Sequence, residues 1–248
     1  MVTSYWMEYD LFMELLFRLM GQVHRFLKWI MATNKRFLFL TNNSQHTPLQ
    51  LQQRLRKMGL DVPKSAFFTS ALSTANFLIS QRPHGCTAYC VGGAGIKEAL
   101  TDVGVQLTDD NPEYVVIGES EEYTVAEFTV ATNLVHKGAK LIGTNIDASD
   151  PVEGGIAPSC GAWVALVEAA TKKRAYFLGK PNPWMIRSAL SRLGCHSAES
   201  AIVGDRMDTD IIAGIESGLS PILVLSGVTA ENEIEQWPYT YDSPCVPN

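Results

Sequence analysis

Asp205, Asp208 and Asp210 fall within six residues, in the run Val203-Gly204-Asp205-Arg206-Met207-Asp208-Thr209-Asp210. Carboxylates crowded in this way resist ionisation unless a cation compensates them. Hard oxygen ligands at the end of a strand suit Mg²⁺. Acids also favour helix N-termini, and Asp208 fits that plainer role. Asp205, directly after an apolar run, is the better metal candidate. Upstream, Gly179-Lys180-Pro181 follows another β-like run. A lysine there can hold a phosphate as a point charge, although most lysines are simply solvated. Further upstream, Thr41-Asn42-Asn43 places a hydroxyl and two amides after Phe37-Leu38-Phe39-Leu40. Such donors, with the N–H groups of a following helix start, suit phosphate oxygens. Asn and Ser also favour ordinary turns, so each motif is weak by itself.

The elements that must position these residues alternate along the chain. After Phe37 to Leu40, β-like runs recur at Thr87 to Val91, Tyr114 to Ile117, Lys140 to Thr144, Arg174 to Leu178, Ala201 to Val203 and Pro221 to Leu225. Helical stretches are expected at Thr47 to Met58, Ile96 to Val103, Val125 to Lys137, Gly161 to Ala170, Pro183 to Leu193 and Asp208 to Ser217. Thr47 followed by Pro48 fits an N-cap with proline at the first helical position. The alternation predicts an α/β fold, a mostly parallel sheet with helices on both faces. In such sheets ligands bind beyond the carboxyl ends of the strands, which is where the three motifs fall.

Composition narrows the class. The 248 residues are 46% hydrophobic and 19% charged, enough for a sizeable core and too little charge for disorder. A net charge of −6 disfavours binding to a nucleic-acid polymer. A small anionic substrate is still compatible, because one pocket can be positive on an acidic protein. The five cysteines, Cys86, Cys90, Cys160, Cys195 and Cys245, are scattered without C-x-x-C spacing and read as thiols in a reducing compartment. Between Leu11 and Met31 the chain is apolar, but Glu14, Arg18, His24, Arg25 and Lys28 interrupt it. No uncharged run reaches the roughly 20 residues that span a bilayer, and no signal-peptide pattern is evident. A cytoplasmic protein without membrane attachment is expected.

The order of a strand ending in Thr-Asn-Asn, one ending in Gly-Lys-Pro and one ending in Gly-Asp-x-x-x-Thr-Asp resembles the haloacid dehalogenase (HAD) superfamily. Further stretches, "TNNSQHTP", "DVPKSAFFTSALSTANFL", "GTNID", "PSCGAWVA", "GKPNPWMIRSAL" and "AIVGDRMDTDIIAGIESGL", resemble its subfamily IIA, the NagD-like and p-nitrophenylphosphatase-like phosphatases. The likeness runs from about Phe26 to Tyr239. It implies a Rossmann-like core at residues 1–79 and 175–248, and an inserted α/β cap of the C2 type at residues 80–174. It also implies a phosphomonoesterase that acts on a small phosphorylated metabolite, a nucleoside monophosphate being one candidate, with Mg²⁺ as cofactor and self-association through the cap. Thr41, Asn42 and Asn43 would hold the phosphoryl group, and Lys180 would neutralise it. Asp205 would bind the metal and Asp210 would support that shell. Asn145 and Asp147 of the cap would touch substrate, though Ile146 stands where the family pattern usually has proline.

The family's first strand ends in Asp-x-Asp-Gly, whose first Asp is the nucleophile and whose second is the general acid and base. Counting back from Thr41, that motif falls on Glu8-Tyr9-Asp10-Leu11. Asp10 matches the acid/base position, which also puts it beside the metal, and Glu8 matches the nucleophile with one methylene too many. The following "LFMELLFRLMGQVHRFLKW" reads as an amphipathic helix, with Glu14 and Arg18 as an i, i+4 pair. Compensating frame shifts, a ligand-binding protein without turnover, and an enzyme that uses Glu8 or Asp10 are three accounts of the stretch. A helix there would also deprive the core sheet of a central ladder partner.

Overall fold

A computed structural model describes residues 2–3, 25–152 and 154–239. Local chemistry sets most element boundaries. Helix α1 is seen at residues 25–32. Helix α2 (Pro48–Lys57) opens with a reciprocal capping box. Thr47 Oγ1 accepts the Gln50 N–H while Gln50 Oε1 accepts the Thr47 N–H, and Pro48 occupies the first turn. Arg54, Arg56 and Lys57 sit in its last turn, where the macrodipole favours cations. Leu51 and Leu55 form its buried stripe. Helix α5 (Val125–Lys137) repeats the device with Thr124 and Glu127, and Gly138 ends it at φ 119°.

The chain forms two compact units. The first comprises Met1–Thr41, Ala66–Phe68 and Lys180–Asn248; the second comprises Asn42–Ser65 and Thr69–Gly179. The first holds a sheet of β1 (Val2–Thr3), β2 (Leu38–Thr41), β3 (Phe67–Thr69), β11 (Ala201–Gly204) and β12 (Ser220–Leu223), in the order β12-β11-β1-β2-β3. Strand β1 pairs in parallel with both β11 and β2, Val2 facing Ile202 and Leu38. The central ladder position is therefore filled by Val2–Thr3, ahead of the stretch where a strand seemed to be lost. Glu8 and Asp10, with residues 4–24 around them, lie outside the described residues. So do Cys245 and the rest of 240–248. Helix α7 (Pro183–Leu193) starts at an Asn182 cap and stops at Gly194 in the left-handed conformation. A π-helical turn (Met207–Ile211) leads into α8 (Ile212–Ser217). Met207, Ile211 and Leu223 form a small core cluster covered by Trp237 and Tyr239. The Tyr239 hydroxyl fastens that cover by donating to the Met207 carbonyl at 2.6 Å.

The second unit has its own parallel sheet. It consists of β4 (Thr87–Val91), β5 (Gln106–Leu107), β6 (Tyr114–Ile117), β7 (Lys140–Gly143) and β10 (Tyr176–Phe177), in the order β10-β7-β6-β4-β5. Val115 and Ile117 of β6 are fully buried against Phe128 and Val135 of α5 and against Val164 and Val167 of α6 (Cys160–Thr171). Each such side chain contributes about 1.5–3 kcal/mol by leaving water. Helix α3 (Ser70–Gln81) packs on α4 (Ala94–Asp102). A hairpin of β8 (Ser149–Val152) and β9 (Gly155–Pro158) completes the unit. The residues from Asn42 on join this unit through local bonds, such as Gly95 N–H to the Gln45 carbonyl at 2.7 Å. Among the described residues no helix is long and apolar enough to cross a membrane.

Candidate active site

Each element of the candidate site lies at the carboxyl end of a strand, as expected for a parallel sheet. In the first unit Thr41 ends β2 and is buried, and Asp205 directly follows β11. Lys180 is also buried; its Nζ lies 2.7 Å from Asp210 Oδ1 and donates to the Leu40 carbonyl at 3.4 Å. Lys180 and Asp210 are thus held at the end of β2 by a charge pair and a main-chain carbonyl. Asp205 Oδ2 accepts the Val228 N–H at 2.8 Å, and Asp210 Oδ2 accepts the Arg206 N–H at 3.3 Å. Burial, and after it the Asp210 charge, raises the Asp205 carboxyl above its ordinary range. Asp208 faces outward by comparison and takes a bidentate bond from Arg206, at 3.0 and 2.7 Å. It lies in the first turn of the helical segment Met207–Ile211, the helix N-terminus that the sequence suggests for it.

The donor set suits a divalent cation. Burial and the Asp210 charge raise the cost of ionising Asp205, and a hard cation would relieve that cost while accepting carboxylate oxygens. Among the described residues no group of three or more His, Cys, Asp or Glu could enclose a metal. Asp205 and Asp210 would therefore need a further oxygen ligand from elsewhere.

In the second unit a polar network joins three strand ends. Asn42 Nδ2 donates to Asp147 Oδ2 at 2.8 Å, and Asn145 Nδ2 donates to the same oxygen at 2.7 Å. Asn145 is wholly buried, its Oδ1 accepting from Thr144 Oγ1 at 2.9 Å. Asn43 turns back into its own loop, where Oδ1 accepts the His46 N–H at 3.0 Å. Gly179 allows the close approach of the "GKP" segment. A Cβ there would lie 2.6 Å from both Asn42 Oδ1 and the Thr144 carbonyl oxygen.

Ser44, Glu119 and Thr144 belong to this network and were not singled out from the sequence. Glu119 Oε2 accepts the Ser44 N–H at 3.0 Å, while Oε1 accepts from Asn145 Nδ2 at 3.1 Å. Ser44 Oγ accepts the Glu119 N–H at 2.7 Å and lies 2.9 Å from Thr144 Oγ1. Burial pushes the Glu119 carboxyl up to about 8, with the Asp150 charge adding to the effect. Asn145 was singled out through the family resemblance; for Glu119 the local signal in the sequence is its place two residues past β6.

Two family models match, one for HAD-like hydrolases at residues 177–248 and one for haloacid dehalogenase-like hydrolases at residues 18–106. A dihydroxyacetone phosphatase of Corynebacterium glutamicum is 47% identical over 87% of this chain and 78% of its own length. The ribonucleotide monophosphatase NagD of Escherichia coli is 40% identical over 86% of this chain and 84% of its own. Among solved structures, a thermostable NPPase double mutant from Geobacillus stearothermophilus superposes with a TM-score of 0.86 at 33% identity, covering 99% of this chain and 93% of that one. E. coli NagD superposes with a TM-score of 0.81, covering 88% and 85%. These matches define a class of hydrolases. The chain belongs to the haloacid dehalogenase superfamily, in its subfamily IIA of NagD-like phosphatases.

Proposed function

We propose that this chain is a Mg²⁺-dependent phosphomonoesterase that acts on small phosphorylated metabolites. The buried Lys180–Asp210 pair, at the end of β2 and beside the raised Asp205 carboxyl, is the observation that carries the reading. A cation of this kind would neutralise phosphoryl oxygens in a site from which water is largely excluded. Thr41, Asn42 and Asn43 would donate to those oxygens. Asp205 and Asp10 would hold Mg²⁺, with Asp210 behind them, and Asn145 and Asp147 would meet the substrate. The residues 1–79 and 175–248 as core, 80–174 as cap, and self-association through that cap belong to the same proposal. Bound Mg²⁺ would supply charge stabilisation at the phosphoryl group.

A carboxylate at Glu8 or Asp10 would attack phosphorus and break the ester P–O bond, while the other carboxyl of the pair would give its proton to the leaving alcohol oxygen and later take one from water. Water would then release phosphate and return the carboxylate. A glutamate in the nucleophile position displaces the reacting atom, and about 1 Å of misplacement costs on the order of 100-fold in rate. The relatives named for dihydroxyacetone phosphatase, ribonucleotide monophosphatase and acid sugar phosphatase activities suggest triose and sugar phosphates and nucleoside monophosphates as first substrates. The free thiols at Cys86, Cys90, Cys160 and Cys195 fit a reducing, cytoplasmic setting.

The test is phosphate release from these three substrate classes, with Mg²⁺ and with EDTA. Turnover is expected only with metal, and Asp205→Asn is expected to abolish it. Metal-independent turnover would contradict the reading. Glu8-Tyr9-Asp10-Leu11 in place of Asp-x-Asp-Gly favours one alternative, a protein that binds phosphorylated ligands without turnover. That alternative expects ligand-induced stabilisation without product.

A further inference from the structure

The Glu119 carboxylate joins two separate loops of the second unit. One oxygen takes the main-chain N–H of Ser44, two residues past Asn42; the other takes the side-chain amide of Asn145, two residues before Asp147. The Glu119 N–H returns a bond to Ser44 Oγ, and Ser44 Oγ touches Thr144 Oγ1. On the far side of this bridge Asn42 and Asn145 converge on the same Asp147 oxygen. Six side chains from three strand ends thus form one hydrogen-bonded network, closed through Glu119, Ser44, Thr144 and Asn145, and in it Glu119 bonds both to the main chain of the Asn42 loop and to the Asn145 side chain.

We propose that Glu119 is a positioning residue, a clasp that fixes the Asn42 loop against the Asn145–Asp147 loop. The role rests on the phosphatase reading for its consequence, since Asn42 and Asp147 are the groups it would aim. Two donors meet two different oxygens of one carboxylate, and a carboxylate is the side chain that offers two acceptors in that fork. Glutamine offers only one acceptor. Its NH₂ would face a donor, either the Ser44 N–H or the Asn145 amide. The charged and titratable groups facing Glu119 are Asp147 and Asp150 from the β7–β8 segment, Tyr123 from the loop after β6, and Cys160 from α6. The acids among them oppose its ionisation, while the Ser44 and Asn145 hydrogen bonds favour the carboxylate. Gly118 leaves room for this packing, because a Cβ there would lie 2.9 Å from Ser44 Oγ.

The experiment uses the full chain as wild type, Glu119→Gln and Glu119→Ala. Amide exchange at Ser44 and the Asn42 and Asn145 side-chain NH₂ signals are followed by NMR across pH, and phosphate release is followed in parallel. The clasp requires Ser44 exchange to accelerate about tenfold or more in Glu119→Ala, and in Glu119→Gln either that acceleration or altered Asn145 NH₂ signals. It also requires the wild-type Asn145 NH₂ signals to follow a titration centred near 8 that is absent from Glu119→Gln. In an active wild type, kcat/KM should fall about 10- to 100-fold in both variants while unfolding stays cooperative. Unchanged Ser44 exchange in both variants would overturn the clasp, and so would unchanged kcat/KM with an unchanged pH profile. A folded wild type that releases no phosphate from any substrate would instead count against the phosphatase reading, and the exchange result alone would then decide for or against the clasp.

Discussion

Lys180 Nζ and Asp210 Oδ1 are 2.7 Å apart, and only 6% and 1% of the two side chains reach solvent. Burying two charges is costly, and the pair stays favourable only while both members are present. Asp210→Asn keeps the shape and removes the charge that faces Lys180. It is expected to lower unfolding free energy by about 3–5 kcal/mol. Adding Lys180→Met to it should recover a large share of that loss, because the double variant no longer buries a lone charge. Urea denaturation of the two single variants and the double variant closes the cycle. Equal, additive losses would show that the pair is not coupled.

Mg²⁺ should stabilise the fold through Asp205. Its carboxyl is raised first by burial and then by Asp210, and a cation that binds there relieves both. A ligand at about 100 times its dissociation constant adds about 2.7 kcal/mol. In a chain of this size that corresponds to a rise of roughly 5–10 °C in Tm. Calorimetry with Mg²⁺ and with EDTA should show the rise in the wild type and none in Asp205→Asn. A rise that persists in the variant would place the ion elsewhere.

The periodic elements were legible because their boundaries are local. β4, β6, α5 and α7 have the expected limits, since capping residues, Pro183 and Gly138 act over one turn. Helix α3 was not foreseen. Its run SALSTANFLISQ is rich in Ser and Thr, which favour caps and turns in isolation. In the structure Ser70, Ser73 and Thr74 are buried, and Ser73 Oγ donates to the Leu178 carbonyl at 2.8 Å. A tertiary partner thus overrides the local preference. The same reason hid Glu119. Its partners Ser44 and Asn145 are 75 and 26 residues away, and no spacing rule reaches that far. The strand-end positions of Thr41, Lys180 and Asp205 were legible because each lies at or within two residues of the end of an apolar run.

Glu119 also makes stability depend on pH in a defined direction. Its carboxyl has an ordinary value of 4.5 and is pushed up to about 8 in the fold. The unfolded chain therefore releases this proton first. Between pH 4.5 and 8 the folded state binds more protons, so stability falls as pH rises through that window. The contribution is complete below 4.5 and lost above 8. Glu119→Gln cannot titrate, so its Tm should fall less steeply than the wild type's over the same range. Thermal melts at intervals from pH 4.5 to 8.5 read the difference directly, and parallel curves would show that the group is not raised.

Gly179 tests how tightly the strand ends are packed. A methyl group there would meet Asn42 Oδ1 and the Thr144 carbonyl at 2.6 Å, and Asn145 Cβ at 3.0 Å. The Asn42 side chain can swing aside only by leaving Asp147, and the Thr144 carbonyl is main chain at the end of β7. Overpacking of this kind typically costs about 1–3 kcal/mol. Gly179→Ala should therefore lower stability by that amount and lower kcat/KM more than Tm suggests, since the displaced atoms belong to Asn42 and Asn145. Gly155→Ala serves as the control, because nothing lies within 4 Å of its Cβ and its φ is not in the left-handed region. Equal behaviour of the two variants in urea denaturation and phosphate release would mean that the loops yield without cost, and that the Asn42–Asp147 contact does not depend on a bare backbone at 179.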